Sequence, residues 1–135
     1  MKARLVDGMF GIKLVWPGWF EDPLAEVRVG FPAKYDQKFD IPIGSKMFIY
    51  ITEYQRIMAI NKVTGTWEEG KLRFSPTGRF PLCLPVETIF KADYGLGIRE
   101  IRSIVPTFRP HEGLSYFPIT EGEYLELEKL LMLNG

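Results

Sequence analysis

Two apolar runs held three residues apart constrain this chain more than any other feature. Lys46 to Thr52 reads Lys-Met-Phe-Ile-Tyr-Ile-Thr, Arg56 to Thr64 reads Arg-Ile-Met-Ala-Ile-Asn-Lys-Val-Thr, and only Glu53-Tyr54-Gln55 lies between them. β-Branched and aromatic residues at this density, joined by so short a polar link, make a β-hairpin. Neither strand alternates polar with apolar: Met47 to Ile51 and Ile57 to Ile60 are apolar throughout, so both faces need cover. A hairpin buried on both faces belongs at the centre of its sheet, as in a small closed barrel.

Weaker signals surround it. Gly11 to Trp16 predicts a first strand, stopped by the turn dipeptide Pro17-Gly18, and Ala25 to Phe31 alternates with period two as an extended segment. Lys34 to Asp40 is expected to be loop, and Ile41-Pro42-Ile43-Gly44-Ser45 the turn that feeds the hairpin. Further strands are expected at Lys71–Phe74, Phe80–Val86 and Thr88–Lys91, with Pro81 and Pro85 pushing the second towards a sheet edge or a bulge. Ile98, Ile101, Ile104 and Val105 lie on one face of a short helix that stops before Pro106. Thr120 and Glu123 form a capping box, and Tyr124, Leu127, Leu130 and Leu131 make one apolar stripe of a closing helix. The fold class expected is α+β: a single domain over 1–135 built on a small β-barrel of about five or six strands, flanked by short helices and closed by a C-terminal helix.

At 135 residues the chain can bury one sizeable core but hardly two. No apolar run approaches the roughly 18 residues needed to span a bilayer, and Asp7, Gly8 and Gly11 interrupt the stretch after the basic N-terminus, so no signal peptide forms. A soluble, cytoplasmic protein is expected. The lone cysteine, Cys83, lies in an apolar run and reads as a buried, inert thiol. With one histidine and one cysteine no metal-ligand spacing appears, and neither a metal nor another cofactor is expected. Gly95-Leu96-Gly97 opens like a dinucleotide fingerprint but has no third glycine, His111 beside Glu112 reads as a surface-loop residue, and the pairs Glu21-Asp22 and Glu68-Glu69 read as solvated loop acids. Asparagine and glutamine are confined to Gln37, Gln55, Asn61 and Asn134, the depletion expected of a heat-adapted source. From Glu121 onward four glutamates accompany one lysine, leaving 16 basic against 13 acidic residues over the rest of the chain. That excess allows a modest positive face, not a strongly basic one.

Two segments resemble a known family. Pro42-Ile43-Gly44-Ser45-Lys46-Met47-Phe48-Ile49-Tyr50 with the return Ile60-Asn61-Lys62-Val63-Thr64, and Pro118 to Tyr124 leading into Leu127-Glu128-Lys129-Leu130-Leu131, are similar to the centre and the closing helix of EVE domains, members of the PUA-like superfamily and relatives of the YTH methyl-adenine readers. The match covers about a third of the chain, mostly at apolar positions; Ser45 stands where the family commonly has aspartate, and the tryptophan-bearing first strand at the N-terminus is not evident. The resemblance implies a PUA-like, EVE-like barrel that binds DNA or RNA by flipping a modified base, such as a methylated adenine or cytosine, into an aromatic pocket. The chain is expected to be either a freestanding protein or the recognition part of a larger restriction or RNA-modification system, with a partner enzyme or further domain.

The residues to build such a pocket are present. Trp16, Trp19 and Phe20 lie on one turn, Trp67 in a glycine-bounded loop, and Tyr50 and Tyr54 beside the hairpin, giving flat walls on which a base can stack. Each tryptophan can equally plug the end of a barrel. Lys62, Lys71, Arg79, Arg99, Arg102 and Arg109 are the candidates for the phosphate backbone. No catalytic residue is assigned, and a non-catalytic binding module is expected. Two alternatives stand beside it. A small ASCH-like amidohydrolase would need a buried, pKa-perturbed lysine or acid, for which Lys46 and Glu87 are candidates by type. A protein-interaction domain would instead present Trp16-Pro17-Gly18-Trp19-Phe20 on a flat apolar patch.

Overall fold

The computed structural model describes residues 9–21, 28–69, 81–111 and 113–134. In chain order the elements are β1 (Phe10–Val15), α1 (Pro17–Glu21), β2 (Arg28–Phe31), α2 (Tyr35–Lys38), β3 (Lys46–Ile51), β4 (Arg56–Val63), β5 (Glu68–Glu69), β6 (Leu82–Gly97), α3 (Ile98–Ile104), β7 (Tyr116–Ile119) and α4 (Glu121–Asn134). The hairpin forms as its composition requires, with β3 antiparallel to β4 and Gln55 taking a positive φ of 54° in the turn. β1 runs parallel to β3 and antiparallel to β7, and the strand order is β2-β6-β4-β3-β1-β7, with β5 also on β6. β2 and β7 stand at opposite ends of that order, yet the rings of Phe31 and Tyr116 lie 6.0 Å apart. The mixed sheet therefore curls until its two ends meet across a common interior.

Because β3 and β4 are apolar on both faces, two cores form. The inner one gathers Val15, Phe31, Met47, Ile49, Ile51, Ala59, Val63, Leu84 and Tyr116. On the outside of the same strands Ile12, Leu14, Phe48, Tyr50, Ile57 and Ile60 pack against Ile101 of α3 and Tyr124, Leu127 and Leu131 of α4. The closing helix is capped as its sequence predicts: Glu123 N donates to Thr120 Oγ1 at 3.1 Å and Thr120 N to Glu123 Oε1 at 2.9 Å. Among the described residues no helix is long and apolar enough to cross a membrane.

Several local expectations change. At Pro17-Gly18, expected to be a turn, the chain forms the short helix α1. Within Lys34–Asp40, expected to be loop, the chain forms the single-turn helix α2, entered through Lys34 with a φ of 70°. The strands expected at Phe80–Val86 and Thr88–Lys91 are one continuous strand of 16 residues, because β4 supplies a partner along Val86 to Gly97 after β2 has paired Leu82 to Pro85. Gly95 belongs to that strand; its φ is +75° and a Cβ there would run into the Ile57 carbonyl, so its glycine serves strand packing. Glu68-Glu69 is strand β5, not free loop, and Glu68 Oε1 accepts from Arg28 Nε at 3.0 Å. The strand expected at Lys71–Phe74 lies outside the described residues.

Tyr116 reaches the centre of the barrel only because β1 carries no side chain beneath it. A Cβ on Gly11 would collide with the Tyr116 ring and hydroxyl. Gly11→Ala is expected to lower unfolding free energy by about 2–3 kcal/mol through overpacking, read by urea denaturation; an unchanged midpoint would mean that the ring can leave this place at no cost.

Candidate ligand site in the barrel interior

Alternation along each strand decides which side chains enter the barrel. On β1 the inward positions are Gly11, Lys13 and Val15; β3 turns Met47, Ile49 and Ile51 to the same side, and β4 contributes Ala59, Asn61 and Val63. Lys13 lies in register between Ile49 of β3 and Tyr116 of β7, so a lysine stands in the middle of the inner core, 2% exposed. Its Nζ donates to Ser115 Oγ at 2.8 Å and to the Leu14 carbonyl at 2.9 Å, and lies 4.8 Å from the centre of the Phe31 ring. Burial disfavours the ammonium ion and pulls the amine down to about pH 7 from 10.5. Near neutral pH the side chain thus shares its time between a hydrogen-bonded cation and a free-base amine.

Other polar groups share this interior. Buried Ser45 is satisfied: Met9 N donates to its Oγ at 2.8 Å, and the hydroxyl donates to the Pro42 carbonyl at 2.7 Å. The Nδ2 and Oδ1 of Asn61 and the hydroxyl of Tyr116 have no partner among the described residues. Leaving such groups buried and unpaired costs about 1–3 kcal/mol each, which makes them the candidates in this interior for contact with a polar ligand. Rings wall it. Phe31 stands edge-on to Trp67 at 5.0 Å, and Tyr116 edge-on to Phe39 at 5.3 Å. Burial also holds the Tyr116 hydroxyl well above the usual phenol range, so it remains a donor at all ordinary pH.

The aromatic residues singled out from the sequence divide into three places. Trp19 is buried and donates its indole N–H to the Arg28 carbonyl at 2.7 Å, closing the barrel as a plug, and Trp67 packs half-buried on the same core. Tyr50 is in the outer core, edge-on to Phe108 at 5.3 Å, and so lies across the sheet from both tryptophans. Trp16 and Tyr54 are exposed, whereas Phe20 is half-buried against the inner core: Tyr54 donates to Glu21 Oε1 at 3.0 Å, tying the hairpin turn to α1, and Lys91 Nζ lies 4.7 Å over the Phe20 ring. Trp16 is 41% and Tyr54 45% exposed.

The basic residues do not form a single track. Lys62 is in register between Lys46 and Glu87 on the strand face opposite Asn61. Arg102 donates to the Phe108 carbonyl and Arg109 to the Pro106 and Phe108 carbonyls, so both hold the turn after α3. Arg99 is exposed on α3, and Lys71 and Arg79 lie outside the described residues. Of the two residues named for catalysis, Lys46 sits over the Tyr124 ring in the outer layer and Glu87 is exposed. The lysine that burial perturbs is Lys13. Alternation in Gly11 to Trp16 could have found it, since a lysine there takes the inward place that its neighbours Gly11 and Val15 occupy. His111 is exposed, and among the described residues no three metal-ligating side chains gather.

The lysine makes stability depend on pH with a definite sign. Between about 7 and 10.5 the unfolded chain binds a proton that the folded chain does not, so stability rises with pH there by up to about 1.4 kcal/mol per unit. Tyr116 and Tyr124 act oppositely: burial raises both, Tyr124 with help from Glu128, so above the ordinary tyrosine value of 10.0 the unfolded chain ionises first and stability falls. Urea melts across this range should peak near about pH 10, and Lys13→Met should flatten the rise; a flat wild-type curve would mean that Lys13 is not held neutral.

No family model matches the sequence, and no curated protein is similar to it in sequence. Solved structures are similar in fold. A serine-to-alanine variant of the ASCH protein from Zymomonas mobilis matches 93% of this chain and 99% of its own at 10% identity, with a TM-score of 0.71. A hypothetical protein from Leishmania major matches 94% and 96% at 13% identity, TM-score 0.70, and protein Atu2648 from Agrobacterium tumefaciens 90% and 92% at 18%, TM-score 0.62. The domain named among them is ASCH, so what the sequence resemblance implied is supported in the fold, and EVE specifically is not. This chain has the fold of the ASCH proteins, a PUA-like barrel of curled mixed sheet with a closing C-terminal helix.

Proposed function

We propose that this domain binds nucleic acid and takes a single base out of the strand into the barrel interior. One observation carries the reading: Asn61 offers a donor and an acceptor, and Tyr116 a hydroxyl, all three buried and unpaired among aromatic rings. An asparagine amide makes paired hydrogen bonds to the edge of a base, worth about 1–3 kcal/mol of discrimination, and ring stacking adds about as much per base. Exposed Trp16 and Tyr54, and Lys91 over the half-buried Phe20 ring, are the aromatic and cationic groups suited to flanking nucleotides. Asn61, Lys13 and Tyr116 are themselves hidden from solvent, so a base enters as neighbouring rings move aside; Trp67 and Tyr35, both half-buried against Phe31, are the ring neighbours that reach the surface. In its finer form the reading is that of a modified-base reader, for a methylated adenine or cytosine, serving as the recognition part of a restriction or RNA-modification system.

A second reading has an observation of its own. Lys13 Nζ stands 2.8 Å from the Ser115 hydroxyl, and burial lowers its pKa to about 7, so that the neutral amine is well populated at neutral pH. An amine base beside a hydroxyl nucleophile is the arrangement a small amidohydrolase requires. Hydrolysis of an N-acylated nucleoside that disappears in Ser115→Ala, without any oligonucleotide affinity, would favour this second reading over the first.

Stability and binding should separate in variants of the first site. Asn61→Leu and Tyr116→Phe remove unpaired buried groups without leaving a large void, and each is expected to stabilise the fold by about 1 kcal/mol. The same changes should weaken binding of short methylated or unmethylated DNA and RNA strands about tenfold, following the loss of base-edge contacts. Tryptophan fluorescence titrations measure the affinities; unchanged affinity in both variants would remove the interior from the binding reaction.

A further inference from the structure

We propose that α4 is a self-association surface: its solvent face pairs with the same face of a second copy of this chain, antiparallel, about a two-fold axis near residue 127. α4 is apolar on two sides. Tyr124, Leu127 and Leu131 are buried in the outer core, yet Leu125, Met132 and Leu133 on the other side are 54%, 53% and 74% exposed. Gly122, Leu125, Lys129 and Met132 follow one another at intervals of three, four and three residues, the spacing that keeps side chains on one line along a helix. Single exposed leucines are ordinary on a protein surface. Large apolar side chains gathered on one face of a helix make instead the seam by which helices pair.

Charge and shape select the partner and its direction. α4 carries four glutamates and one lysine, so its face is acidic and disfavours a phosphate backbone or an anionic membrane surface. In a parallel pair Lys129 would face Lys129 and the glutamates would face their counterparts, a like-charge arrangement. Turned antiparallel, Lys129 of one copy meets Leu125 of the other, with Glu126 of that second copy beside the leucine and within reach of the ammonium ion. Neither Lys129 nor Glu126 has an ion-pair partner among the described residues, and the two-fold axis forms this pair twice. Gly122 meets Met132 of the second copy. Beyond its own helix a Cβ at Gly122 would have only Thr120 Oγ1 near it, at 3.9 Å, so the space that the methionine takes is open. The antiparallel arrangement also sets the two helix dipoles in opposition. Because α4 covers the outer core while Trp67 and α1 pack on the inner one, pairing leaves the inner-core side of each sheet uncovered.

One pair of 14-residue helices, each about 21 Å long, makes a contact at the small end of specific interfaces. The test is sedimentation equilibrium of the whole protein at low salt, where the mass should rise from monomer towards dimer between about 10 µM and 1 mM. Leu125 is exposed, so Leu125→Glu should leave the fold intact by circular dichroism and weaken association at least about tenfold. Lys129→Glu and Glu126→Lys should each weaken it by several-fold, because each sets like charges against one another across the axis. The two changes together should restore the association of the original protein, since the opposite charges meet again. A protein that stays monomeric at about 1 mM overturns the proposal and leaves the face to a basic partner protein. A dimer indifferent to Leu125→Glu also overturns it, by placing the contact elsewhere, and single charge changes that the double change does not rescue overturn the antiparallel pairing.

Discussion

Everything in the interior depends on how far the sheet curls. β2 and β7 are the two ends of the strand order, and only because Phe31 on one comes within 6.0 Å of Tyr116 on the other does the concave face become an enclosed space. The parallel pairing of β1 with β3 sets this up, since it places β1 between β3 and the final strand β7 and carries Lys13 to the middle of the concave face. Gly11 then leaves the room that the Tyr116 ring occupies. A flatter sheet would expose the lysine to water and return its amine to the ordinary lysine range, because burial alone shifts it.

The two faces of the central strands do different work. On the outer side α3 and α4 cover an apolar layer whose polar atoms are largely turned to solvent or paired, as Tyr124 is with Glu128 at 2.7 Å. On the inner side an equally well-packed apolar layer contains an amine, an amide and a phenol. Burying those three groups costs stability that an all-apolar interior would keep. Structures hold on to such costs at places where a ligand makes up the missing hydrogen bonds. The inner core therefore carries a stability cost that the outer core does not, and on the proposed reading a ligand offsets it.

Within the inner core the polar groups differ in kind. Ser45 is a structural hydroxyl, bridging the Pro42 turn to the start of β1. Ser115 and the Leu14 carbonyl orient Lys13, whereas the Asn61 amide and the Tyr116 hydroxyl have no partner among the described residues. That contrast locates the site more sharply than the aromatic content does, since Trp19 and Trp67 turn out to be packing residues of the same core. The hydrogen bond from Tyr54 to Glu21 joins the hairpin turn to α1, the helix that also carries Phe20.

Local chemistry alone determined a good part of this protein. Continuous apolar β-formers separated by a short polar link specified the hairpin; Thr120 and Glu123 specified the start of α4; the spacing of Ile98, Ile101 and Ile104 specified α3. Each follows from interactions between residues close in the chain. The merging of two expected strands into β6 needed β4 as a partner over Val86 to Gly97, which no local pattern reveals. The site was less legible still. Lys13, Asn61, Ser115 and Tyr116 come from four separate points in the chain, and none stands in a motif. What makes Lys13 unusual is the burial that β3, β7 and Phe31 impose on it, and Asn61 and Tyr116, without a partner among the described residues, are buried by a curl whose extent only the assembled barrel decides.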